Sequence, residues 1–208
     1  MTLDEALAQS PIVAILRGVR PEEVVGIGEA LFQSGIRAVE VPLNSPNPLA
    51  SIQRLVERLG AHMACGAGTV LSVTDVGGVI EAGAGFVVSP NTDGAVIRRA
   101  VAVGLEPAPG FATASEAFQA IGAGARHLKL FPAATYGPGH LRQLKAVLPD
   151  EAVVWAVGGV GAADLAPWWD AGARAFGIGS EIYKPGQTAA ETAVKAAALV
   201  EAARALGG

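Results

Sequence analysis

Cysteine is almost missing from this chain: Cys65 is the only one among 208 residues, so no disulfide can form within it. Histidine is nearly as scarce. His62, His127 and His140 are widely separated, and no run of Cys, His and carboxylates has zinc-ligand spacing, so metal catalysis lacks support and no cofactor is expected. Long apolar runs are absent too. No stretch reaches the ~18 to 20 residues that cross a bilayer, and the opening MTLDEALAQS is acidic where a secretory leader would be positive. These features lead us to expect a cytoplasmic protein with no membrane partner. Basic clusters are missing as well: 15 Lys and Arg are scattered among 19 Asp and Glu, for a formal charge of -4. Nothing there could follow a phosphate backbone, so nucleic acid is not an expected partner.

What the chain has is apolar content, 51% of residues, arranged in a repeating order. Short β-branched runs alternate with longer amphipathic stretches, as βα units around a parallel sheet require. Eight such strands are expected: Ile12 to Arg17, Ala38 to Leu43, Met63 to Gly68, Phe86 to Ser89, Leu105 to Ala108, His127 to Phe131, Val153 to Val157 and Ala175 to Ile178. Helix starts are signalled by Pro21 with Glu22 and Glu23, by Thr74-Asp75, Thr92-Asp93 and Asp164, and by a capping box of Thr113 with Glu116. An alanine-rich helix is expected from about Thr188 to Leu206. Glycines in SGI, AGAGF, VGL, AGARH and AGARA close helices before the next strand. The sequence therefore predicts one domain over residues 1–208, a compact (β/α)8 TIM barrel, with an open doubly wound sheet as the competing arrangement.

In such a barrel the reacting groups sit at the C-terminal ends of the strands. Charged residues inside apolar strands are therefore informative. In HLKLFPA, Lys129 is flanked by Leu128 and Leu130, whereas Lys145, Lys184 and Lys195 lie in helical or polar stretches and read as solvated. Burying an ammonium is costly unless it is paired, and losing the proton is a common relief. A neutral amine is a nucleophile. Glu40 in AVEVPL stands inside a strand, and Arg17 in IVAILRG is a cation at the tip of the first strand. A structural salt bridge between Lys129 and Glu40 is the plain alternative, and a cap or surface role for Arg17 competes evenly with ligand binding. Glycine groups at 66–69, 158–159 and 177–180 fall at strand ends. The last two follow strands seven and eight, where barrels of this kind hold phosphate on backbone N–H groups. Together these residues suggest a small anionic substrate with a carbonyl beside an acid and a phosphate at its far end, attacked by an amine to give a Schiff base.

The segments AILRG, AVEVPLNSP, GAGTVL, VSPN, PGFATASEAFQA, LKLFPA, AVGGV and GIGSEIY occur in order across nearly the whole chain. In them the sequence resembles the 2-dehydro-3-deoxy-phosphogluconate/phosphogalactonate aldolases, metal-independent class I aldolases built as small trimeric barrels. The resemblance implies that Lys129 is the Schiff-base lysine and Glu40 the proton shuttle, acting through a water. It implies that Arg17 and Thr69 bind the pyruvoyl end and that Gly159, Gly179 and Ser180 hold the phosphate. Pro90 and Phe131 would keep the lysine dry, and Val157 and Gly158 would line the substrate. The implied partner is a phosphorylated keto-deoxy sugar acid, cleaved to pyruvate and glyceraldehyde 3-phosphate by a homotrimer.

Two departures from the phosphogluconate branch narrow this reading. That branch carries EVTLRT where this chain has EVPLNS, which places carboxylate recognition on Arg17. It also carries TGG where this chain has Val157-Gly158-Gly159. A methyl in place of a hydroxyl near C4 removes a hydrogen-bond partner for one epimer, which favours the galactonate branch. The alternatives are a phosphogluconate or dual-epimer aldolase, a non-catalytic barrel that senses a sugar acid phosphate, and a metal-dependent pyruvate aldolase. No proton-transfer role is expected for His127, and Cys65 is read as packing.

Overall fold

The computed structural model describes residues 1–206; the last two residues of the expected 1–208 domain lie outside it. All eight expected strands form, some trimmed by a residue or two. They are β1 (Ile12–Ile15), β2 (Ala38–Pro42), β3 (Ala64–Gly68), β4 (Phe86–Val88), β5 (Glu106–Ala108), β7 (His127–Leu130), β8 (Val153–Val157) and β9 (Ala175–Ile178). The ninth piece, β6 (Gly110–Phe111), continues β5 beyond Pro109. The strand order is β5-β4-β3-β2-β1-β9-β8-β7-β6 and every pairing is parallel. The sheet thus begins and ends on two halves of one strand, which closes the barrel. Pro109 has no N–H to give the ladder, but its carbonyl accepts from the Lys129 N–H at 2.9 Å. The arrangement is a (β/α)8 barrel rather than an open sheet.

Helices α2 (Val24–Gln33), α3 (Pro48–Leu59), α4 (Val73–Glu81), α5 (Gly94–Ala102), α6 (Ala114–Gly122), α7 (Ala133–Lys145), α8 (Leu165–Asp170) and α9 (Ala189–Arg204) follow the strands. The Thr113–Glu116 capping box forms as expected, and Thr188 with Glu191 makes another at α9. At α4 the cap is Ser72 rather than Thr74, because Asp75 then falls three residues on and can reach back to the cap. Residues 21–23 make a turn, and α2 starts at Val24. Asp164 ends a 3-10 turn that precedes α8. All five glycines expected to close helices, at 35, 83, 104, 124 and 172, have positive φ. One helix had no counterpart in the sequence reading. α1 (Leu3–Gln9), capped by Thr2 and Glu5, buries Leu3 and Ala6 against the inside of the barrel.

Alternation along the strands divides the apolar residues into two cores. Ile12, Val39, Val41, Leu128, Leu130 and Phe176 face outward against the helices. Val13, Ile15, Phe86, Trp155, Val157 and Ala175 fill the lumen. The lumen holds such large side chains because glycines face them: a Cβ on Gly66 would come 2.5 Å from the Phe86 ring, and one on Gly177 would come 2.8 Å from Val157.

Candidate active site

Strand parity decides which charges enter the lumen. On β7, Leu128 and Leu130 join the helix-side core, so His127 and Lys129 point inward. On β2, Val39 and Val41 do the same, which turns Glu40 inward. Lys129 is 6% exposed and Glu40 3%. The Lys129 ammonium lies 4.7 Å from the centre of the Phe131 ring. Among the described residues neither charge makes an ion pair or hydrogen bond, and Glu40 Oε2 is buried without a partner. The salt-bridge alternative is therefore not what the chain adopts. Gly68 is needed beside them, since any side chain there would overlap the Glu40 carboxylate.

Burial pushes the Lys129 amine below the ordinary lysine range; the Glu40 charge opposes this and Arg17 adds to it. Burial also pushes the Glu40 carboxyl up, against the pull of Lys129 and Arg17. Both groups are driven toward neutrality. A neutral amine can attack a carbonyl, and a carboxyl of raised pKa can both take and return a proton.

Above Lys129 opens a cavity of about 430 Å³, walled by residues from the loops after β1, β2, β7, β8 and β9. Of the residues singled out in the sequence, Arg17, Lys129, Phe131, Val157, Gly158, Gly159, Gly179 and Ser180 line it. Arg17 Nη1 donates to Asn44 Oδ1 at 2.7 Å, and the Gly18 N–H donates to Ser45 Oγ at 2.9 Å. The Asn44-Ser45 pair, noted in the sequence as a departure, therefore orients the arginine's loop. Gly158 and Gly159 have φ of 97° and 70°, a conformation readily taken only by glycine. A Cβ on Gly159 would also come 2.6 Å from the Ala134 side chain.

Glu40, Thr69 and Pro90 are not in the cavity wall. Thr69 is half-buried just beyond β3 with φ of 56°, strained for a β-branched residue. The Pro90 carbonyl packs so closely on Gly110 that no side chain could fit there, which aims it at the closing strand. Conversely, Tyr183, Lys184 and Pro185 stand in the wall, with Lys184 exposed, as expected of a solvated charge. Their position in the loop after the last strand was the available signal. Among the described residues no group of three or more His, Cys, Asp or Glu side chains converges as a metal site.

Comparison with known proteins gives one consistent result. The family model for KDPG and KHG aldolase matches residues 3–198. Over 194 residues the chain is 46% identical to the 2-dehydro-3-deoxy-6-phosphogalactonate aldolase of Escherichia coli (strain K12), covering 93% of this chain and 95% of that protein. A solved native KDPGal structure superposes with a TM-score of 0.92 at 46% identity, over 93% of this chain and 94% of that one. The KDPG aldolase of Legionella pneumophila, solved with pyruvate captured as a covalent carbinolamine, superposes with a TM-score of 0.80 at 25% identity, over 98% of this chain and 97% of that one.

Proposed function

From the premise that this chain belongs to the KDPG and KHG aldolase family, and is thus a lyase, we propose a class I cleavage of 2-dehydro-3-deoxy-6-phospho-D-galactonate. The neutral Lys129 amine adds to the C2 ketone, and loss of water leaves a cationic imine. Glu40, through a water, takes the C4 hydroxyl proton. The C3–C4 bond then breaks, its electron pair moves to the imine nitrogen, and D-glyceraldehyde 3-phosphate departs. Glu40 returns the proton to C3 of the resulting enamine, and hydrolysis releases pyruvate and the free amine. The observation that carries this reading is a dry, unpaired Lys129 in the wall of a cavity also lined by Arg17 and the glycine turns after β8 and β9, with Glu40 buried, unpartnered and near enough to Lys129 to feel its charge. Arg17 would hold the carboxylate and the glycine turns the phosphate. Thr69 and Pro90, outside the wall, would reach substrate only if the mouth rearranges on binding. We further propose that the whole chain works as one catalytic domain in a cytoplasmic homotrimer, on the strength of the family resemblance.

Val157 favours the galactonate epimer, since its methyls, in the cavity wall, offer no hydrogen bond to a C4 hydroxyl. The second reading is the gluconate epimer or both. Assaying the two purified epimers with the natural protein and Val157→Thr decides. We expect galactonate preference in the first and a shift of the kcat/KM ratio toward gluconate in the second. An unaltered ratio would remove Val157 as the selector.

A further inference from the structure

Two loops that follow the neighbouring strands β1 and β9 bring Arg17 and Gly179-Ser180 to the cavity, and they are fastened together by side chains that have no part in the proposed bond-making steps. Tyr183, 3% exposed, donates its hydroxyl to Glu23 Oε1 at 2.9 Å. Glu23, the residue before α2, also accepts from the Arg20 N–H at 3.1 Å and from Arg20 Nη2 at 3.2 Å. One carboxylate thus gathers three donors from two loops, and these hydrogen bonds hold its pKa below the usual carboxylate range despite partial burial. A hydroxyl bound to a charged acceptor is stronger than a neutral pair. Nearby, Gly18 meets Pro185 so closely that a Cβ would come 2.7 Å from its ring, and its φ of 80° also favours glycine. The far flank of the β9 loop is braced separately: the Gln187 amide donates to Ile182 O and Thr192 Oγ1, both at 2.8 Å.

We propose that Glu23 and Tyr183 are positioning residues that set the distance between the carboxylate-binding and phosphate-binding ends of the cavity. They thereby select a phosphorylated substrate by length over its unphosphorylated counterpart. This inference rests on the aldolase reading of the cavity. Pyruvate needs only the end formed by Arg17, Lys129 and Glu40, so its capture is independent of the link. A six-carbon phosphate ester needs both ends at a fixed spacing, and binding far from the reacting carbon is what a loosened loop forfeits.

The test compares the natural protein with Glu23→Ala, Glu23→Gln and Tyr183→Phe in steady-state cleavage and in borohydride trapping with pyruvate. Glu23→Ala and Tyr183→Phe should raise KM for the phosphorylated substrate roughly tenfold, about the effect of one hydrogen bond to a charged group. The change in kcat should be much smaller, pyruvate labelling should proceed at the natural rate, and the preference over the unphosphorylated acid should fall. Glu23→Gln keeps an oxygen for the Tyr183 hydroxyl and should lie between. An unchanged KM in both variants overturns the proposal, and so does a parallel loss of KM, kcat and labelling, which would make the link mere support for the fold. A natural protein that neither cleaves the phosphorylated substrate nor is labelled overturns the aldolase reading itself, and this inference with it.

Discussion

His127 and Lys129 stand two residues apart on β7 and face the same lumen, yet their surroundings treat them oppositely. His127, at the floor, has no exposure. Trp155 Nε1 donates to its Nδ1 at 3.1 Å, so the imidazole proton sits on Nε2. That nitrogen lies 3.2 Å from Asp4 Oδ1 on α1 and 3.8 Å from Glu106 Oε1, near enough for electrostatic contact but not aligned as a hydrogen bond. Arg126 pairs with the other Asp4 oxygen. The floor is an electrostatic clasp that seats α1 under the barrel. At the mouth, Lys129 meets an aromatic ring and Glu40 Oε2 meets nothing. Buried polar groups usually find partners, so an unpartnered pair is the costlier arrangement. It persists at the end of the barrel where a substrate can complete it, and that is where strain and unmet polarity tend to gather.

The contrast is broken most strongly if Glu40→Gln leaves catalysis intact. We expect kcat to fall by roughly 10² to 10⁴, the usual worth of a general acid/base, while chemical denaturation at neutral pH shows a folded protein. Changes at the floor should do the reverse. Burial lowers the His127 pKa from 6.5 to about 4, so between those values the unfolded chain binds more protons than the folded one. Stability is therefore fully present above pH 6.5 and is lost as pH falls toward 4, by about 3 kcal/mol in all. His127→Asn, which keeps an acceptor for Trp155, should flatten this acid loss in denaturant titrations and leave kcat near its natural value. An unaltered pH profile of stability would remove His127 as its source. The smallest effect sharpens the electrostatics of the mouth. Arg17 helps depress the Lys129 pKa, so Arg17→Met should move the acidic limb of the kcat/KM profile to higher pH. A limb that stays put or moves lower would contradict the assignment of that limb to Lys129.

Much of this contrast was legible in the sequence, for physical reasons. The strands were readable because most are short apolar runs between turn signals, several of them rich in β-branched residues, and the helix ends because left-handed glycines and reciprocal caps are local. Lys129 and Glu40 stood out as charges with apolar neighbours on both sides. The break at Pro109 was hidden because a proline inside an apolar run looks the same whether it ends a strand or bends it. α1 was missed because its seven residues bury only Leu3 and Ala6, too little for a periodic signal. The Lys129–Glu40 separation, and the meeting of Tyr183 with Glu23 across 160 positions, depend on how the barrel closes, which no local pattern encodes.

The central claim is that Lys129 is an unpaired, dry amine able to bond to a keto acid. Incubating the protein with pyruvate and borohydride, followed by intact and peptide mass spectrometry, tests it directly. We predict one reduced pyruvyl adduct per chain, on the peptide containing Lys129, and none in Lys129→Met. An unmodified protein, or an adduct on Lys145, Lys184 or Lys195, would contradict it.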